Sequence, residues 1–295
     1  MNKKIKKTVL ITGGTGNLGS RVIYQLVNDY NIICLYRTRK SISKKLNLTD
    51  INKNITFINY KNIDYKKIIL KYKVTIIFHS ATNYGLDHND EGVLESNLLL
   101  PLKILRASIE CGCKYFINTD TILEKDLNSY SLSKKHFRDW LFRYSNKIKT
   151  INLRYEHFYG PNDDQTKFIT WIISQMKINK KEIMMTKGDQ ERDFIFIDDA
   201  VDATSHVFKN LEKLHSNFDI DIGTGNLYKI KDIVNEIKTL MQNKKTTLQF
   251  GAIKYRKNEI MKTRLNLDVM YKKLNWKPKY SLTEGLILSI KGTKK

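Results

Sequence analysis

Thr8-Val9-Leu10-Ile11-Thr12-Gly13-Gly14-Thr15-Gly16-Asn17-Leu18-Gly19 decides how this chain folds. A short run rich in β-branched residues, T-V-L-I (8–11), ends in a glycine-rich turn. The residue pattern then changes to that of an amphipathic helix over 17–28. Glycine patterns mean little alone, but a strand that turns through glycines into a helix is the context a phosphate cradle needs. Gly13 permits the tight turn, Gly16 lets the backbone approach a pyrophosphate, and Gly19 lets the helix pack close to the strand. The helix N-terminus adds unpaired N–H groups and the positive end of its dipole. With Thr15, Asn17 and Leu18, these glycines are the candidate cofactor-binding loop.

Further short apolar runs follow at 32–35, 55–58, 75–78, 115–118 and 151–154, with amphipathic stretches at 64–72, 91–110 and 129–145 between them. Strands alternating with helices predict βαβ units and a parallel sheet covered on both faces. The expected fold is α/β, a Rossmann-type doubly wound parallel sheet with a smaller C-terminal α/β substrate lobe. Pro161 after Gly160 marks the exit from the sheet domain, and helices are expected near 166–178, 229–241 and 282–290. The expected division is 1–160 plus about 188–212 for the dinucleotide domain, and about 161–187 with 213–295 for the lobe.

The 295 residues, 41% of them hydrophobic, allow a substantial core and argue against disorder. The basic N-terminus leads into an apolar run too short for a signal peptide, and no stretch reaches the ~20 apolar residues of a membrane span. Cys34, Cys111 and Cys113 cannot all pair with one another, C-x-C is not the usual metal spacing, and the six histidines are scattered. No metal site is expected, and the setting is a reducing cytoplasm. The net charge of +22 invites a nucleic-acid reading, but the lysines are spread along the chain without a basic block. A small anionic ligand such as a nucleotide diphosphate is the more economical partner.

Folds of this kind that prefer NAD place a carboxylate at the end of the second strand, on the ribose 2′-OH. Here Tyr36 stands at that position, and Arg37 and Arg39 follow. A guanidinium suits a 2′-phosphate, so NADP(H) is favoured, with NAD(H) the alternative.

A tyrosine four residues before a lysine occurs twice, as Tyr36 with Lys40 and as Tyr130 with Lys134. With 16 tyrosines and 52 basic residues, the spacing alone proves nothing. Position separates the two pairs. Tyr36 belongs beside the adenosine ribose, whereas Tyr130 begins a helix just after the fifth strand. Ligands of open parallel sheets bind at the strands' carboxyl ends, and an i,i+4 pair shares one helix face. A nearby ammonium is expected to lower the tyrosine pKa from its usual value near 10. Thr119 first and Thr121 second are strand-end hydroxyls for a substrate oxygen. The catalytic candidates are therefore Thr119, Tyr130 and Lys134.

Together these segments resemble the extended short-chain dehydrogenase/reductase family, which acts mostly on nucleotide-linked sugars. T-G-G-T-G-N-L-G (12–19) is similar to its cofactor loop and Y-S-L-S-K (130–134) to its Tyr/Lys pair. I-I-F-H-S-A (76–81) resembles its fourth-strand segment, and Asn97 its helix-4 asparagine. R-Y-E-H-F-Y-G-P-N (154–162), G-D-Q-E-R-D-F-I-F-I-D-D (188–199), F-D-I-D-I-G-T-G (218–225), Arg256 before Glu259, and L-N-W-K-P-K-Y-S-L-T-E-G (274–285) extend the likeness over nearly the whole chain. The resemblance implies Ser80, Ala81, Thr82, Tyr130 and Lys134 at the cofactor. It implies Asn83, Tyr84, Thr121, His157, Arg192 and Arg256 at a nucleotide-diphosphate sugar, with a homodimer formed through 91–110 and 129–145.

Within the family, sugar 4,6-dehydratases carry Thr-Asp-Glu after strand five. The run Thr119-Asp120-Thr121 lacks the Glu, which disfavours dehydration. I-N-T-D-T, L-N-S-Y-S-L-S-K-K and E-H-F-Y-G-P-N-D-D look most like the CDP-abequose and CDP-paratose synthase group, reductases of a CDP-4-keto-6-deoxy sugar in bacterial surface-polysaccharide synthesis. An NADPH-dependent 4-ketoreductase is therefore expected. An epimerase or 4-dehydrogenase holding its own NAD(H), and a non-catalytic relative that senses NADP(H) or binds RNA, are the alternatives. The chain departs from the family at Lys61-Asn62 and in the short link from Thr119 to Tyr130.

Overall fold

The computed structural model describes residues 6–46, 54–61, 63–216, 218–257 and 259–293; Asn62 of the departing Lys61-Asn62 pair lies outside them. The first run forms β1 (Thr8–Thr12) and the turn leads into α1 (Asn17–Leu26), followed by β2 (Asn31–Tyr36), α2 (Arg39–Lys45), β3 (Ile55–Asn59), α3 (Tyr65–Lys71) and β4 (Val74–His79). The chain continues through α4 (Asp90–Leu94), α5 (Leu100–Glu110), β5 (Tyr115–Thr121), α6 (Ser129–Arg143), β6 (Lys149–Tyr155) and β7 (His157–Tyr159). Then come α7 (Phe168–Lys177), β8 (Glu182–Met185), β9 (Glu191–Phe196), α8 (Ile197–Lys209), β10 (Phe218–Ile222), β11 (Leu227–Lys229), α9 (Ile230–Leu240), β12 (Thr247–Phe250) and α10 (Leu282–Gly292).

Seven strands form one sheet in the order β10-β6-β5-β4-β1-β2-β3, and β1 to β5 pair in parallel. All five residues of β1 and all seven of β5 are buried, as expected of strands covered on both faces. Leu10, Ile33, Ile77 and Phe116 pack in one cluster with Ile104 and Leu105 of α5 and Phe137 and Leu141 of α6. The strand order reverses at β1/β4, because β2 and β3 build outward on one side and β5 and β6 on the other. Such a switch point opens a crevice at the strands' carboxyl ends, where open α/β sheets bind ligands.

The chain divides into two compact units, Met1–Arg154 with Thr204–Ile220, and Tyr155–Ala203 with Asp221–Lys295. In the second, β9 pairs in parallel with β7 and antiparallel with β11, while β8 and β12 form a separate two-stranded parallel sheet. No helix among the described residues is long and apolar enough to cross a membrane.

The expected single helix over 91–110 is interrupted. Residues Glu95–Leu99 form a π-helical turn in which the Leu100 N–H bonds the Glu95 carbonyl. Pro101, at the start of α5, has no N–H to return to Asn97, and such a gap in the ladder favours local rearrangement.

Candidate active site

Three elements set the cradle. β1 delivers Gly13 with φ +68°, a left-handed conformation that glycine adopts without steric cost. A Cβ there would lie 2.5 Å from Ala81 N and Ser80 C, so the loop packs backbone to backbone against the end of β4. A Cβ on Gly19 would lie 2.3 Å from the Gly13 carbonyl oxygen, so α1 starts against the turn itself. Gly16 differs: a Cβ there would approach only the Gly13 oxygen, at 3.1 Å. Its outer face is open, and the Asn17 side-chain Nδ2 beside it is a buried donor without a partner. An open glycine with an unmet donor at a helix N-terminus fits a pyrophosphate, so the loop fits the expected dinucleotide. Leu18 is buried and has only its backbone to offer such a ligand.

The end of β4 is tied to the same loop. Ser80 Oγ donates to the Thr12 carbonyl (2.8 Å) and the Ala81 N–H to Thr12 Oγ1 (3.2 Å). His79, fully buried, shares its Nδ1 with Thr12 Oγ1 at 2.8 Å. Burial, and then the Lys134 charge, hold its pKa well below the ordinary histidine value, so it is neutral. Asn97, fully buried in the π turn, gathers the two residues after Ala81. Its Oδ1 accepts from Thr82 Oγ1 (3.2 Å) and the Asn83 N–H (2.8 Å). Its Nδ2 donates to the Asn83 carbonyl (2.8 Å) and to Ser133 Oγ on α6 (3.0 Å). One side chain thus fastens the Thr82–Asn83 loop to the helix that carries Tyr130 and Lys134.

Helix α6 begins with Asn128, whose side chain accepts from the Ser131 N–H in a capping box. This fixes Tyr130 in the first turn. Its ring lies 5.0 Å from that of Tyr84. Lys134, 1% exposed, donates to the Thr119 carbonyl at 2.9 Å. The expectation that this ammonium lowers the Tyr130 pKa is corrected. Burial pushes the phenol well above its ordinary value, Tyr84 and Asp120 add to the rise, and the Thr121 hydroxyl opposes it only in part. The ammonium is itself perturbed: burial pulls Lys134 down to about 8, against the Asp120 charge and with that of Lys135.

Asp120 is held in a network of its own. Its side chain has no exposed surface and accepts from the Thr121 N–H (2.7 Å), Asn152 Nδ2 (2.9 Å) and Lys135 Nζ (3.3 Å). Asn152 also donates to Asp219 (3.0 Å), which Arg138 grips through two nitrogens. Lys135, Ser133 and Asp120 lie inside quoted motifs but are not site candidates from sequence, and Asn152 on β6 lies in none; their roles emerge only from the contacts among β5, β6, α6 and the π turn.

At the end of β2, Arg37 and Arg39 are exposed. In the second unit, the His157 ring sits 5.4 Å from that of Phe194 and bonds buried Glu156 at 2.7 Å through Nδ1. The other Glu156 oxygen has no partner. Arg192 is largely buried and pairs with Glu259 at 2.9 Å, while Arg256 is exposed, its carbonyl taking the Glu259 N–H. All three cysteines are free thiols. Among the described residues no group of three or more His, Cys, Asp or Glu side chains could hold a metal ion.

The profile of the NAD dependent epimerase/dehydratase family matches residues 9–223. The CDP-abequose synthase of Salmonella typhimurium is 30% identical, over 96% of this chain and 97% of that protein. The CDP-abequose synthase of Salmonella muenchen is 31% identical, over 97% and 99%. The crystal structure of UDP-glucuronic acid 4-epimerase from Bacillus cereus with UDP-glucuronic acid and NAD superposes with a TM-score of 0.81 at 22% identity, over 96% and 98% of the two chains.

Proposed function

The chain belongs to the NAD dependent epimerase/dehydratase family, and from that premise we propose that it reduces a nucleotide-linked 4-keto-6-deoxy sugar with NADPH, a CDP-linked sugar being favoured. The observation that carries this reading is the placement of Tyr130 and Lys134 on the first turns of α6, with Lys134 bonded to the Thr119 carbonyl near the end of β5. Burial raises the phenol pKa above its ordinary value, so the group is protonated, as a proton donor to a ketone must be. Asp120 is consumed by its own network, and no Glu follows it, so the second acid that elimination of water requires is missing. The CDP-abequose synthases, similar over nearly the full length, favour the CDP-sugar.

The bound dihydronicotinamide supplies the hydride to the sugar's carbonyl carbon. Tyr130 gives its phenolic proton to the oxygen, which becomes an alkoxide far more basic than a phenolate, so a raised phenol pKa is no obstacle. Thr119 donates a hydrogen bond to the same oxygen and polarises it. Lys134 exchanges the Thr119 carbonyl for the nicotinamide ribose, and the open Gly16 backbone with Asn17 Nδ2 takes the pyrophosphate. Arg37 and Arg39 pair the 2′-phosphate that distinguishes NADPH. Arg192 and Arg256 hold the sugar's diphosphate through charge-assisted hydrogen bonds, with His157 beside them on the sugar nucleotide. Leu94, Leu99, Leu132, Trp140 and Phe142 are exposed on the 90–110 and 129–143 helices, which suits a homodimer; the mass in solution by light scattering checks it.

The test is to mix the protein and NADPH with CDP-, dTDP- and GDP-linked 4-keto-6-deoxy sugars and follow nicotinamide absorbance. Consumption with the CDP-sugar is expected, and Tyr130→Phe is expected to lower turnover by about 10²–10⁴-fold with NADPH binding intact. Near-normal activity of that variant would sink the assignment. The likeness to a 4-epimerase solved with NAD favours a second reading, an epimerase or 4-dehydrogenase with resident NAD(H). Nicotinamide that stays with the purified protein until denaturation would establish it.

A further inference from the structure

β5 outruns β4, one of its two neighbours in the sheet. Its pairing with β4 ends at His79↔Asn118, yet the strand continues to Thr121, so Thr119, Asp120 and Thr121 have no β4 partner. Two consecutive lysines of α6 collect the acceptors left over. Lys134 takes the Thr119 carbonyl at 2.9 Å. Lys135 takes the Thr121 carbonyl and, at 3.3 Å, Asp120 Oδ2. The Lys135 side chain is only 15% exposed and that of Asp120 not at all, so this is no solvated surface pair.

We propose that Lys135 is a positioning residue for the Tyr130 centre: it clasps the end of β5 that runs beyond β4, and so leaves Lys134 able to change partners. A buried strand end with unmet carbonyls is costly. Were Lys134 its sole cation, contact with a ribose would leave both the strand end and Asp120 without one. Lys135 holds that end while its neighbour moves. The charged and titratable groups around the clasp are Asp120 on β5, Lys134 and Tyr130 on α6, Tyr84 in the loop after β4 and His79 at the end of β4. Asp219 and Arg138 lie behind Asn152.

The clasp rests on Tyr130 as proton donor, and its test separates the two ideas. The full chain is labelled with carbon-13 at lysine Cε and tyrosine Cζ, and the resonances are assigned with Lys134→Met and Tyr130→Phe. In Lys135→Met the like charge beside Lys134 is gone, so the Lys134 midpoint rises above about 8, and the Tyr130 resonance shifts at neutral pH as the end of β5 beside it loosens. Turnover falls about tenfold or more with KM for NADPH little changed, and Lys135→Arg restores all three. An unmoved Lys134 midpoint and Tyr130 resonance in folded Lys135→Met overturn the proposal, even if the variant melts earlier. Lys135→Gln is read in the same way should the methionine variant fail to fold. If the wild type reduces no keto sugar while Lys135→Met still moves both signals, the proposed reaction fails and the clasp stands.

Discussion

At Gly13 a single hydrogen atom in place of a methyl group decides whether the cradle closes. Gly13→Ala sets a methyl against the Ser80–Ala81 backbone in a left-handed conformation. The variant is expected to lose roughly 1–3 kcal/mol in urea unfolding and to bind NADPH more weakly in a fluorescence titration; unchanged values would refute the packing argument. Lys134 makes a second prediction. Its folded pKa of about 8 lies below the roughly 10.4 of an unfolded lysine. Between those values the unfolded chain binds more protons, so this group's contribution to stability rises with pH across that window. Below about 8 both states carry the charge and its burial cost is fully felt. Wild type is therefore expected to gain melting temperature relative to Lys134→Met from pH 8 to 10, and a relative loss contradicts it. That Tyr130 and Lys134 share the start of the helix after β5 was legible in the sequence, because the run of strands along the chain and the i,i+4 rule need no tertiary information. The sign of the Tyr130 shift was not, since it is a contest between burial and charge that only three-dimensional distances settle.

At the level of elements, every apolar run read as a strand is one, with ends extended by one to three residues. β5 illustrates why the ends escape. The run 115–118 is apolar, but the strand carries on through Thr119, Asp120 and Thr121, polar residues whose partners are Lys134, Lys135 and Asn152. The short link to Tyr130 holds a 3-10 turn at Lys125–Leu127 and then the Asn128 cap. Asn128→Ala is expected to cost about 0.5–2 kcal/mol in denaturant unfolding. It is also expected to lower turnover, because the frayed turn carries Tyr130. Loss of stability with full turnover would show that the cap does not place the tyrosine.

For the whole molecule, the doubly wound sheet was legible in the alternation of runs and helices, whereas β7, β9 and β11 are short pieces whose partnership no periodicity announces. The cradle predicts a ligand effect on the entire fold. NADPH at about a hundred times its Kd is expected to stabilise the protein by ~2.7 kcal/mol in thermal unfolding; a larger effect from NAD at equal concentration would reverse the cofactor preference. The π turn at Glu95–Leu99 carries a different consequence, because it makes the 90–110 helix a counted spacer. Glu95 and Leu99 are exposed, so neither side chain is fixed by the core. Removing either one, however, would turn α5 by about 100° relative to α4. Then Asn97 would leave Asn83 and Ser133, or Ile104 and Leu105 would leave the core. The length of this stretch, and not only its side chains, sets Asn97 against Asn83 and Ser133.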